Sequence, residues 1–287
     1  MVSSRRLFIS CILFVSILPQ VLWGKDLPLH GQVAMVWGAS QGIGAAIAER
    51  LAAEGAVVYL MSRSEDKLKA LVEKIQSQGG KAQYIVADIR QENDIDTATQ
   101  SVLEQHKRID ILVQNVGIYP RMPLEKVTKD YYREVMDTNF YSGVYAIQAV
   151  LPAMKEARYG RILMISSTTG NVTGIPYQTI YSASKGAITG FIKTAALELA
   201  PYQITINSLE PGYVTTDGVS DLGEDYHAKI ANSVPLGRMG YPSEVAAIAY
   251  FMVHPDATYT TGSTWRVDGG LTLPESHFLH VLPVDHQ

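Results

Sequence analysis

From residue 31 onward, short apolar runs alternate with longer stretches in which apolar residues return every three or four positions. The runs VAMVW (33–37), AVVYLMSR (56–63), AQYIVA (82–87), IDILVQ (109–114), RILMIS (161–166), ITINSL (204–209) and STWRV (263–267) are predicted strands, largely apolar on both faces. Between them helices are predicted in AAIAERLAAEG, stopping near Gly55, and over 65–78, 92–107, 129–155, about 180–199 and 241–253, the last with Ser243 as a candidate N-cap before Glu244. Strand and helix in strict alternation, with short joints, predict an α/β fold. It is a doubly wound, mostly parallel sheet with helices on both faces, right-handed crossovers and one domain. Two segments break the rhythm. Asn139 interrupts the helix over 129–155 among Phe140, Val144, Tyr145 and Ile147, where a buried amide needs partners, here expected to be a helix carbonyl and a water. DGVSDLGEDYHAKIANSV (217–234) is polar and weakly periodic, as a mobile flap with a short helix inside it would be.

The two ends differ from this core. In residues 1–28, Arg5 and Arg6 precede an apolar run from Leu7 to Leu18, and no acidic residue comes before Asp26. A targeting or anchor segment is expected there, outside the fold. The run is short of the roughly 20 residues that span a bilayer, and Ser4 to Phe8 is similar to the opening of a twin-arginine export signal. Membrane contact or export through this segment, and a cytoplasmic enzyme on which it has no role, are the two readings. The folded domain is assigned to 29–270 and an aperiodic tail to 271–287.

Composition narrows the function classes. With 287 residues, 47% hydrophobic content and a net charge of -4, the chain lacks the basic balance of a nucleic-acid binder. Its single cysteine, Cys11, excludes an internal disulfide, and the scattered histidines offer no metal-ligand spacing, so no metal is expected.

The candidate chemistry sits where strands end. Gly38, Gly42 and Gly44 follow the first strand and open a helix, an arrangement suited to cradling a phosphate on free N–H groups. The second strand ends in Ser62 and Arg63 with no carboxylate, which favours the 2′-phosphate of NADP over the bare ribose of NAD. Asp88 after the third strand is a candidate for the adenine, and Asn115 and Gly117 after the fourth border the same crevice. Thr215 and Thr216 offer hydroxyls to a cofactor. Ser167 ends the fifth strand. On the helix that follows, the four-residue spacing puts Tyr181 and Lys185 on one face, where an ammonium favours the phenolate and lowers a pKa normally near 10.

GASQGIG, Asp88, QNVG (114–117), Asn139, Ser167, YSASK (181–185), PGYVTT (211–216), RMGYPSEVA (238–246) and the terminal VDGG, in this order and spacing, resemble the short-chain dehydrogenase/reductase family over residues 29–270. The resemblance implies a seven-stranded Rossmann-type sheet and hydride transfer between nicotinamide C4 and a ketone or secondary alcohol. It implies Tyr181 as general acid/base, Lys185 lowering the Tyr181 pKa and holding the ribose, Ser167 bonding the substrate oxygen, and Asn139 anchoring a relay water. Ser40, Gln41, Ile43, Ile89, Tyr181, Lys185, Pro211, Gly212, Val214 and Thr216 join the glycines, Ser62, Arg63, Asp88, Asn115 and Gly117 as the implied cofactor set. A homo-dimer or homo-tetramer through helices 129–155 and 180–199 and the last strand is also implied. Three residues depart from the family pattern: Trp37 stands for a threonine, and Gln114 and Val116 alter Asn-Asn-Ala-Gly. They motivate the alternative of a weak or inactive nucleotide-binding scaffold.

Overall fold

Val33–Trp37 (β1) is apolar throughout and buried throughout, which only a central strand covered on both faces allows. Its side chains alternate: Ala34 and Val36 join one core, while Val33, Met35 and Trp37 join the other. The computed structural model describes residues 27–216 and 224–274. The segment read as targeting, the first part of the expected flap and most of the tail therefore lie outside the described residues.

After β1 come α1 (Gly42–Ala53), β2 (Val57–Ser62), α2 (Glu65–Ser77), β3 (Lys81–Val86), α3 (Glu92–His106) and β4 (Ile111–Gln114). The second half runs α4 (Lys129–Met136), α5 (Ser142–Ala157), β5 (Gly160–Ile165), α6 (Thr179–Leu199), β6 (Ile204–Pro211), α7 (Glu224–Ser233), α8 (Pro242–Val253) and β7 (Thr264–Val267). The seven strands form one parallel sheet in the order β3-β2-β1-β4-β5-β6-β7. Helices α1, α2 and α8 pack on one face and α3, α5 and α6 on the other, so the doubly wound architecture holds. Among the described residues, no helix is long and apolar enough to cross a membrane, and no group of three metal-ligating side chains occurs.

Three boundaries differ from the sequence expectation. The helix over 129–155 is broken by a π-turn, Asp137–Tyr141, between α4 and α5, with Asn139 at its centre. Strand β6 continues through Pro211, because Glu210 and Pro211 pair with Arg266 and Val267. Helix α8 is capped at Tyr241, not Ser243. Pro242 takes the first helical position, where its missing N–H costs nothing, and Glu244 accepts from the Tyr241 N–H at 2.8 Å.

β4 starts later than its apolar run because Asp110 is used otherwise. Its buried carboxylate accepts from the Val33 N–H at 2.8 Å and from the Arg108 guanidinium at 2.6 to 3.0 Å. Its backbone accepts from Arg161 N at 2.8 Å and donates to Val33 O at 2.9 Å. One residue thus ties the N-terminal ends of β1, β4 and β5. Asp110→Ala would strand the buried Val33 N–H, and we expect it to lower the unfolding free energy by about 2 kcal/mol, read as a reduced urea midpoint with unchanged slope.

Candidate active site

The strand order reverses between β1 and β4, and there the loops leaving their C-terminal ends part to form a crevice. Trp37, the register partner of Gln114, lines its base. The loop after β1 turns at Gly38, with φ +75°, and enters α1 at Gly42, with φ +59°. A side chain at Gly44 would put its Cβ 2.2 Å from Gly38 O, so the helix lies on the turn only because residue 44 has none. Asn115 Nδ2 donates to Gly38 O at 3.1 Å and locks the turn against the loop after β4. Helix α1 has no acidic residue in its first turn and no side-chain cap, which leaves its leading N–H groups for an anion. These features fit a dinucleotide pyrophosphate.

The crevice has a volume of about 480 Å³. Gly38, Ser40, Gln41, Gly42 and Ile43 line one part, Ser62, Arg63, Asp88 and Ile89 a second, and Asn115, Gly117 and Thr216 a third. Six expected cofactor residues do not line it, and two of them, Tyr181 and Lys185, sit on α6 behind Gly117. Gly44 packs beneath Gly38. Pro211 pairs with Val267, and Gly212 donates to Val267 O at 3.0 Å with Asp268 against its Cα, so both serve the β6–β7 junction. Val214 is buried in a bridge to Gly240. Arg90 and Glu134, unmarked by any motif, line the crevice as well. The sequence signal for Arg90 is its place two residues after Asp88; Glu134 has none.

The four candidate catalytic residues converge behind Gly117. β5 ends at Ile165, and Ser166 Oγ donates to Lys185 O at 2.9 Å while Lys185 Nζ donates to Ile165 O at 2.8 Å. Strand end and helix α6 are thereby stitched twice. Ser167, extended at φ -163°, accepts from Thr169 N at 3.1 Å. Gly170, with φ +105°, lets this loop lie on α6, because a Cβ there would meet Ser182 O at 2.3 Å. A Cβ on Gly117 would come within 3.3 Å of Lys185 Nζ and 3.6 Å of Asn139 Oδ1, so that glycine is what brings the crevice to the catalytic group. Asn139 is 1% exposed. Its Oδ1 accepts from Ile118 N at 2.7 Å, and its Nδ2 donates to Ile118 O at 2.9 Å and Ser184 Oγ at 3.0 Å. The helix carbonyl expected as its partner is replaced by the backbone of the loop after β4.

The electrostatics correct one expectation. Burial pushes the Tyr181 phenol above its ordinary value, the hydrogen bond with Ser167 works against that shift, and Tyr119 adds to it. The net shift is upward, against the lowering expected from Lys185, whose Nζ lies 5.9 Å from the Tyr181 ring centroid and donates to Ile165 O. Burial lowers the Lys185 pKa to about 8. Tyr181 thus holds its proton more tightly than a free phenol does.

Of the departures from the family pattern, Gln114 keeps a turn-holding role. It accepts from Val116 N at 3.1 Å and donates to Ser142 Oγ at 3.2 Å. Trp37 does not: its indole is 1% exposed and Nε1 has no partner.

A family profile described as enoyl-(acyl carrier protein) reductase matches residues 38–272. The chain is 36% identical over 245 residues to the 3-oxoacyl-(acyl-carrier-protein) reductase FabG of Haemophilus influenzae, covering 85% of this chain and 100% of that one. It is 38% identical over 245 residues to the short-chain reductase NovJ of Streptomyces niveus, covering 83% and 93%. Among solved structures, a putative gluconate dehydrogenase of Agrobacterium tumefaciens superposes with a TM-score of 0.83 at 30% identity, covering 87% and 99%.

Two outcomes follow from this geometry. Gly44→Ala forces the glycine turn off α1, and we expect NADPH affinity to fall at least about tenfold in a fluorescence titration. Lys185 titrates near 10.5 unfolded and about 8 folded, so its charge costs stability below pH 8 and the cost fades as pH rises toward 10.5. Wild type should gain roughly 3 kcal/mol relative to Lys185→Met between pH 7 and pH 10.5 in chemical denaturation.

Proposed function

The chain belongs to the short-chain dehydrogenase/reductase family of oxidoreductases, and from that membership we propose an NADP-dependent enzyme that interconverts a ketone and a secondary alcohol. The observation that carries this reading is the convergence of Tyr181, hydrogen-bonded to Ser167, with Lys185 and Asn139 behind Gly117, which lines the crevice. NADP, when bound, supplies or accepts the hydride. The side chains then do the rest. Ser167 holds the substrate oxygen, and Tyr181 gives it a proton in reduction or takes one in oxidation. Burial favours the neutral phenol, which suits the reducing direction. Lys185, one turn further along α6, would hold the nicotinamide ribose. Asn139 has one acceptor lone pair left on Oδ1, and a water held there would pass protons between Lys185 and solvent.

NADP is preferred to NAD in this reading because Arg63, 67% exposed in its side chain, faces the crevice beside Ser62 with no acidic residue at that strand end. Among carbonyl compounds, a 3-oxoacyl thioester is the first to test, since FabG relatives are named for that reaction. A homo-oligomer has support in exposed apolar side chains: Tyr141 and Tyr145 beside and on α5, Leu197 on α6, and Phe251 on α8 stacked with Trp265 on β7 at 5.2 Å. The scaffold alternative draws on the orphaned Trp37 indole. Tyr181→Phe separates the two readings. We expect kcat to fall at least about 100-fold, with NADPH affinity unchanged; activity equal to wild type, or none in either protein across a carbonyl panel, would reject the enzyme mechanism.

A further inference from the structure

Two guanidinium groups and two carboxylates meet at one end of the crevice: Arg63, Arg90, Asp88 and Glu134. The sheet register makes this unavoidable in part. Ser62 and Val86 are partners on β2 and β3, so Arg63 and Asp88, just past those strands, leave the same edge. An arginine beside a carboxylate normally closes into a two-pronged pair. Arg63 does not, since its Nη1 stays 3.9 Å from Asp88 Oδ2. Arg90 holds that carboxylate instead. Its Nε lies 3.0 and 3.1 Å from Oδ1 and Oδ2, its Nη2 2.5 Å from Oδ2, and its backbone N 3.0 Å from Oδ1. The Asp88 N–H donates to Asp94 Oδ2 at 2.9 Å, which fixes the loop that presents both residues. Glu134 acts on Arg90 from α4 and favours its charged form.

We propose that Arg90 is a positioning residue for cofactor choice: by occupying Asp88 it leaves the Arg63 guanidinium open to the 2′-phosphate of NADPH. This rests on the NADP reading above. Without Arg90, the Asp88 carboxylate would draw Arg63 into a fork and would also repel a phosphate dianion placed beside it. Both effects act on the phosphate ester and spare the ribose hydroxyl of NADH. The consequence is read in the ratio of the two affinities, not in either alone.

The test is equilibrium binding of NADPH and NADH to the full chain, for wild type, Arg63→Ala, Arg90→Ala, Arg90→Lys, Asp88→Asn and the double variant Asp88→Asn with Arg90→Ala. Arg90→Ala should lower the NADPH preference about tenfold. The double variant should recover it to within about threefold, because no carboxylate then remains to trap Arg63. Arg90→Lys, which keeps the charge, should retain most of the preference and guards against a folding defect in the alanine variant. A wild type without NADPH preference rejects the cofactor reading itself. A preference that Arg63→Ala abolishes and Arg90→Ala leaves intact rejects only the role of Arg90. A loss that Asp88→Asn fails to reverse shows Arg90 touching the phosphate directly, and overturns the positioning role.

Discussion

Everything near the reactive end depends on where the Lys185 ammonium is anchored. It is buried, with Ile165 O as its hydrogen-bond acceptor, and burial alone moves its pKa down to about 8. A charge in that position is expensive, and the protein keeps it by holding strand end and helix together: Ser166 Oγ closes the reverse bond to Lys185 O. The same stitch fixes the first turns of α6, hence Tyr181, against the end of β5, hence Ser167. Stability is given up at one residue so that three side chains share one corner.

That corner would be isolated from the crevice without two devices in the loop after β4. Gly117 removes the side chain that would separate Lys185 from the crevice wall. Asn139 clamps both backbone groups of Ile118, using an amide that the π-turn between α4 and α5 turns inward. The irregular turn thus coincides with the residue that holds this loop, as π-turns often do at functional sites. The loop is pinned again by the Tyr131 hydroxyl on Pro120 O at 3.0 Å and by Met122 N on Tyr177 O at 2.8 Å. Tyr119 stands exposed on this stretch, close enough to act on the Tyr181 phenol.

At the other end of the crevice the controlling feature is charge placement. Parallel pairing of β2 with β3 brings a cation and an anion to one edge. A third residue, Arg90 from the loop after β3, pairs with the anion. Between the two ends, Trp37 and Gln114 show how far the central layer tolerates change. The glutamine recovers turn-holding hydrogen bonds by reaching back to Val116 N, whereas the indole buries area and leaves its N–H unsatisfied.

The alternation of apolar runs and helical segments was enough to determine a parallel, doubly wound sheet, because the two periods are local and each buried strand needs cover on both faces. The glycines at 38, 42, 44 and 117 were legible too, since a tight turn or a close approach excludes every other residue. The tertiary structure alone decided three things. It assigned Pro211, Gly212 and Val214 to packing between strands, because whether a strand end faces ligand or neighbour depends on the next strand in space. It brought Glu134 to the crevice from a helix whose sequence carries no pattern for it, and set Arg90, marked only by its nearness to Asp88, beside it. It also reversed the expected shift of Tyr181: spacing on a helix sets which residues share a face, while burial and the choice of hydrogen-bond partner set which proton is held, and both of those arise only when distant segments pack.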